Sequence, residues 1–340
     1  MTELAAAPVV RRTWTSTIGA CLFAAALGVL GSVPWWASEG QARNLVEFFS
    51  LLALAQMWNL LAGYAGLVSI GQQAFVGIGA YSLYALGDKG GVHPFLAVAL
   101  AGLVAAAISV PTAAVAFRLR GGYFAIGTWV IAEVFHLLTV NGADLHFDLG
   151  GGNGVTILSA ADLERTFRAH GTYFWALGIG AGSVLLSYLL LRSRLGLGLT
   201  AVRDDEMAAR SLGIDVLRAK VLVYVIAALG CGLAGGVIYL NLLRVQPEAA
   251  YDVNWSAYMI FIVVIGGIGT IEGPIIGTII FFTLQQKLSQ YGVWYLILLG
   301  SVAVVAAVWV RGGIWGVVAR RFDVRLFPVQ RRLLLLPPAD

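Results

Sequence analysis

Long apolar stretches, separated by short polar or basic connections, follow one another along almost the whole chain. A helix rising 1.5 Å per residue needs about 20 such residues to cross roughly 30 Å of hydrocarbon. Ten stretches meet or approach that length, at about 14–34, 44–63, 68–87, 94–117, 122–140, 172–192, 221–243, 254–270, 274–290 and 292–310. The third and ninth are rich in glycine, which predicts broken or re-entrant helices there. The first follows Arg11 and Arg12 in the manner of a signal peptide. Yet Pro34, Trp35 and Trp36 close it with an interfacial aromatic anchor, not a small-residue cleavage site. The pattern predicts an all-α integral membrane protein of about ten transmembrane helices, one domain over 1–310, then a basic tail over 311–340.

Composition strengthens this reading. Of 340 residues, 59% are hydrophobic and 12% charged, where soluble domains hold about 45–50% apolar and about 25% charged residues. Mean hydropathy is +0.84. The 42 glycines follow no three-residue period, which excludes collagen and suits helices that approach closely. Cys21 and Cys231 are too few for a disulfide framework and read as inert core thiols. A net charge of +4 fits cytoplasmic loops facing anionic lipid, and no basic, aromatic-interleaved segment is present to bind nucleic acid. With the N-terminus inside and ten alternating spans, sixteen of the 22 Lys and Arg residues fall on the cytoplasmic side. That is the asymmetry the positive-inside rule expects. Nine spans would leave the arginine-rich C-terminus outside, so both termini are expected in the cytoplasm.

Enzymatic motifs are missing. Lys89, Lys220 and Lys287 are the only lysines and none follows a glycine, so no phosphate loop exists. G-x-S-x-G, H-E-x-x-H and C-x-x-C are also absent. No enzymatic activity and no cofactor are expected in this chain. Glu133 and His136 share one helix face at i and i+3. Glu-x-x-His is half of a di-metal bundle site, but no second such pair occurs, and no metal site is expected.

The inner loop 193–220 holds the most informative segment. Asp204, Asp205 and Glu206 suit the positive end of a helix dipole, and Gly213 stands where a C-cap glycine belongs. Met207, Ala208, Ser211 and Leu212 fall on one small, partly apolar face. Such a helix either docks a partner or lies on the membrane surface.

Glu206-Met207-Ala208-Ala209 with Gly213 resembles the cytoplasmic coupling helix of ABC importer permeases. Four further stretches, in order, resemble the LivM-type branched-chain amino acid permease family. They are Gly66-Leu67-Val68-Ser69-Ile70-Gly71-Gln72-Gln73-Ala74-Phe75 with Gly77, Gly79 and Tyr81; Arg118-Leu119-Arg120-Gly121-Gly122-Tyr123-Phe124 with Glu133; Gly151-Gly152-Asn153-Gly154; and Gly266-Gly267-Ile268-Gly269-Thr270 with Gly273, Pro274 and Gly277. The chain departs from the family at Gln72, where many members carry a histidine, and so lacks a titratable group there.

The resemblance implies an inner-membrane permease subunit of a bacterial binding-protein-dependent importer, similar in fold to the many-span vitamin B12 type. It implies a second, related permease, two cytoplasmic subunits that bind ATP and Mg, and a periplasmic or tethered substrate-binding protein. The substrate would be a branched-chain amino acid. Urea or short amides are the alternative within that class, and an ion-coupled secondary transporter the alternative outside it. The latter needs carboxylates at depth, and only Glu133 lies clearly there, with Glu272 near the inner mouth. The resemblance assigns coupling to Asp205, Glu206, Ala208, Ala209, Ser211, Gly213 and Ile214. Asn59, Ser69, Gln72, Gln73, Gly77, Gly79, Glu133, Gly266, Gly267, Gly269 and Gly273 are expected either to line the translocation path or to pack helices.

Overall fold

The structure is a computed structural model that describes residues 9–10, 14–142, 149–291, 297–298, 300–302, 304, 312–322, 326–327 and 332–333. Apart from two antiparallel ladders of two residues a side, Val9–Val10 with Arg332–Leu333 and Val155–Thr156 with Arg244–Val245, its main elements are helical: α1 (Trp14–Ser32), α2 (Glu39–Asn59), α3 (Gln73–Tyr84), α4 (Pro94–Ala116), α5 (Gly122–Val140), α6 (Leu158–Ala161), α7 (Arg165–Arg192), α8 (Arg194–Asp204), α9 (Glu206–Ser211), α10 (Val216–Leu242), α11 (Pro247–Ala250), α12 (Asn254–Gly266), α13 (Glu272–Leu288) and α14 (Gly313–Phe322).

Among the described residues six helical stretches are long and apolar enough to cross a membrane: α2 with its last turn, α4, α5, α7, α10, and α11 with α12. The ten expected spans map onto more elements than these. α1 covers the first; α3, extended by a π-helical turn to Lys89, covers the third; α13 covers the ninth with 17 residues. The tenth, 292–310, lies largely outside the described residues. The glycine-rich third span is broken at its start, since 68–72 run non-helically before α3 begins at Gln73. The ninth is continuous; the break precedes it, at Gly267, whose φ of 137° ends α12 four residues earlier than hydropathy alone implied.

Helix starts follow local chemistry. Ser38 caps α2 in a capping box with Gln41. Pro94 opens α4, where its missing N–H is harmless. Asp215 caps α10 by accepting from the Arg218 N–H at 3.0 Å. α2 and α10 form the axis: α10 packs on α2, α3, α4 and α7, and α2 on α7, α12 and α13. Small residues allow this, as at Gly79, where a Cβ would run into the backbone of Gly232 on α10. α1 packs on α7 and, at Gly19 and Phe23, against Leu326 and Phe327, and much of it stays exposed. Cys21, expected as a core thiol, is therefore exposed on α1, while Cys231 is buried on α10.

Candidate functional site

α7 and α10 are joined at one end of the bundle by two short helices; the sequence predicts the second, α9, and the first, α8, is an addition to that reading. The Asp205 carboxylate accepts from the N–H groups of Met207 (2.8 Å) and Ala208 (3.1 Å), starting α9. Gly213, at φ 81°, ends it: its N–H donates to the Arg210 carbonyl at 2.9 Å, and that of Ile214 to Ala209 at 3.1 Å. Ala209 is 1% exposed, wedged against Val202 of α8 and Val216 of α10. It anchors the helix and is no part of its outer face. Glu206 pairs with Lys220 and pins α9 to α10. Outward, beside the exposed Glu206 and Arg210, α9 and its cap present Met207 at 77% and Leu212 at 78% exposure together with the exposed Ala208 and Ser211. Single apolar side chains on a surface are ordinary; two large ones at four-fifths exposure on a doubly anchored helix form a knob. Beside it a cleft of about 600 Å³ opens between α9, the α4–α5 turn and the start of α10, lined by Arg120, Glu206, Met207, Arg210 and Lys220.

Sequence reasoning passed over Arg203, the residue that ties this knob to the bundle. Its Nη1 donates to the Gly63 carbonyl at 2.9 Å, while Nε and Nη2 both donate to Asp204. Gly63 lies in the π-helical turn Leu60–Tyr64 that ends α2, directly against Gly269 in the α12–α13 joint. Asn59, one turn earlier and beside Gly63, clamps that joint as well. Its Nδ2 donates to the Thr270 carbonyl and its Oδ1 accepts from the Gly269 N–H, both at 2.8 Å. Gln56 adds a third bond, donating to the Ile271 carbonyl at 2.8 Å. The π turn, two positive-φ glycines at 267 and 269, and a cluster of side chains bonding backbone groups were the available signals. Only the glycines are visible in sequence.

The remaining residues expected on a path are placed inside the bundle. Ser69 accepts from Gln72 at 3.2 Å, and its carbonyl accepts from Trp58 Nε1 at 2.8 Å. Gln72 meets the Cys231 thiol at 3.8 Å, and Gln73 accepts from the Ser256 hydroxyl. All four polar residues, Asn59, Ser69, Gln72 and Gln73, are buried. Gly77 faces the Tyr251 ring, and across the α12–α13 joint Gly266 faces the backbone of Gly273 while Gly273 faces that of Gly267. Glu272 is buried as well, accepting from the Phe327 N–H at 2.9 Å.

Glu133 differs. Its side chain is 54% exposed on α5, bonded to His136 at 3.0 Å. Tyr123, Ile126, Trp129, Val130, Val134 and Leu137 are exposed on the same helix. No third His, Cys, Asp or Glu joins the pair into a metal cluster among the described residues. Nor is Glu133 alone at depth: Glu47 sits half-buried on α2, two turns in from the start of that helix, bonded to Gln285 at 2.9 Å.

A family model described as "Branched-chain amino acid transport system / permease component" matches residues 42–308. The chain is 29% identical to the high-affinity branched-chain amino acid transport system permease protein LivM of Escherichia coli, over 86% of this chain and 74% of that one. The LivM protein of Salmonella typhimurium is 28% identical over the same shares. The ribose import permease protein RbsC of Escherichia coli is 30% identical over 64% of this chain and 68% of its own. No solved structure matches the chain.

Proposed function

The chain belongs to the family of branched-chain amino acid transport system permease components, and from that premise we propose a mechanism for it. It is a multi-pass membrane permease of an ABC importer that works with separate ATPase and binding-protein subunits. Its cargo is a branched-chain amino acid, as for the LivM proteins. The relation to ribose permeases makes a neutral sugar the second reading, but the LivM match spans 86% of the chain against 64% for RbsC.

The carrying observation is the anchored knob of α9 and the arginine behind it. The α8–α9 end faces the cytoplasm, because Arg118, Arg120, Arg192, Arg194, Arg210 and Lys220 cluster there. Met207 and Leu212 enter a groove on an ATPase subunit. Ala209 and the Glu206–Lys220 pair keep α9 from rocking independently, so a displacement of the ATPase moves α8 with it. Arg203 passes that movement to Gly63, and through Gly269 and Asn59 to the α12–α13 joint. Packed interiors switch between discrete arrangements and do not deform smoothly, so a shift at this joint tilts helices as bodies. A carboxylate inside a membrane usually faces a bundle interior or a water-filled cavity. The exposed Glu133 face of α5 therefore meets the second permease across a hydrated path.

The test is reconstitution. The chain with its partner permease, two ATPases and binding protein should take up leucine only with ATP and binding protein present. M207D/L212D should abolish uptake while the chain still assembles with the partner permease. Gradient-driven uptake by the purified chain alone would overturn the reading.

A further inference from the structure

At the end of the bundle opposite α8–α9, the ends of α2, α10, α12 and α13 leave a cavity of about 490 Å³. That volume lies in the range of small-molecule sites. Its wall holds one cation, Arg244, and two carboxylates, Glu47 and Asp252, together with the apolar and aromatic surfaces of Leu51, Trp255 and Tyr258. None of the sequence motifs falls on these residues.

The backbone presents Arg244 there by an unusual turn. Leu243 takes a φ of 61°, and among the described residues it is the only non-glycine with positive φ. Such a conformation is held only where surrounding bonds over-determine it. Here the Leu243 N–H returns to the Tyr239 carbonyl at 2.8 Å, and its own carbonyl accepts from the Ile157 N–H at 2.9 Å. Residues 244 and 245 then pair with 155 and 156 in a two-residue ladder. The turn ends α10 and lays Arg244 along the cavity.

Among the described residues these charges are not matched by one another. The Arg244 side chain makes no hydrogen bond or ion pair among the described residues. Glu47 is bonded to the neutral Gln285 and Asp252 to the neutral Asn254, at 2.9 Å each. Gln285 Oε1 is buried with no partner. A half-buried carboxylate and a free guanidinium around one cavity, neither neutralised by the other, suit an occupant carrying both signs of charge. A neutral sugar can hydrogen-bond to these groups but leaves their charges uncompensated, and a simple anion or cation would meet repulsion from one side.

We propose that this cavity is a weak binding site for a free α-amino acid zwitterion, where ligand pauses after leaving the binding protein. Arg244 receives the carboxylate, in the two-pronged geometry a guanidinium offers. Glu47 and Asp252 take the ammonium. Leu51, Trp255 and Tyr258 cover the apolar side chain. The proposal rests on the amino acid permease reading and narrows it to a place and a set of contacts.

The test uses the complete importer in lipid nanodiscs, with A249C introduced in this chain at the cavity wall. Labelling by a charged thiol reagent is read by mass spectrometry of the peptide around position 249. Leucine at twice its Kd should slow labelling about threefold. Leucinamide, 4-methylpentanoate and ribose should not. R244Q should abolish the protection, and R244K should retain part of it, which distinguishes lost charge from a collapsed site. No protection by leucine, equal protection by ribose, or full protection in R244Q would each overturn the site. Uptake by the unmodified importer separates the two readings. If it carries ribose and no leucine, the amino acid assignment fails and takes the site with it. If it carries leucine while labelling ignores leucine, the site alone falls.

Discussion

α2 and α5 are equals by the measure that finds them, since each has an 18-residue window of mean hydropathy 1.5. Their surroundings differ: 83% of the α2 window is buried within the chain, and 22% of the α5 window. α2 is the post around which α7, α10, α12 and α13 stand. Its polar residues Gln56 and Asn59 are spent on the backbone of the α12–α13 joint. α5 carries its one carboxylate outward, on a face the chain does not cover. Hydropathy sends a segment into the membrane and does not say what it will touch there. A helix covered by its own chain is constrained by packing; one left bare is constrained by whatever completes the assembly.

The contrast is broken most severely on the α2 side of the bundle. G79L, on α3 against α10, should prevent stable folding outright, because backbone lies where the side chain would go and overpacking that cannot relax exceeds the usual about 1–3 kcal/mol. The check is whether any monodisperse protein is recovered in detergent. N59A should come next. It strands the Gly269 N–H and the Thr270 carbonyl in a part-buried joint, at about 1 kcal/mol for each unsatisfied group, the low end of the cost for buried ones, and should lower the thermal unfolding midpoint clearly. Unchanged melting would show that the joint is not clamped from α2.

R203A should have a smaller effect on stability, about 1 kcal/mol, since the guanidinium is partly exposed and its bond to Gly63 is screened. Its effect on coupling should be larger: ATP hydrolysis continues in the assembled importer while uptake falls severalfold. Proportional loss of both would remove Arg203 from the transmission line. E133Q should change the melting of the isolated chain by less than about 0.5 kcal/mol, as surface substitutions do, yet reduce uptake by the complete importer. Equal melting shifts with and without the partner permease would place Glu133 against lipid and not at an interface.

Much of the fold was legible because membrane residence imposes a length and a composition on each helix. The ends of α9 were legible too, since Asp205 and Gly213 act on immediate neighbours. Asn59, Gln72 and Gln73 were visible as polar residues at depth, but whether they lined water or bonded backbone could not be read from spacing alone. Their partners, Thr270, Cys231 and Ser256, lie more than 150 positions away in the chain. Arg203 counted only as one more cytoplasmic charge, and Ala209 only as one of the coupling residues, because neither burial nor a distant carbonyl leaves a trace in the local pattern.

The sequence by itself determined that this chain is built of apolar helices of membrane-spanning length, where α9 starts and stops, and which family it resembles. Those properties follow from side-chain transfer energies and short-range backbone preferences, which act residue by residue. Only the tertiary structure decided that α2 is enclosed and α5 bare, that Arg203 reaches the α12–α13 joint, and that Glu47, Arg244 and Asp252 surround one cavity. Those arrangements depend on which helices pack together, and in a membrane that choice is made by close contact of small residues and by scattered hydrogen bonds between segments far apart in the chain.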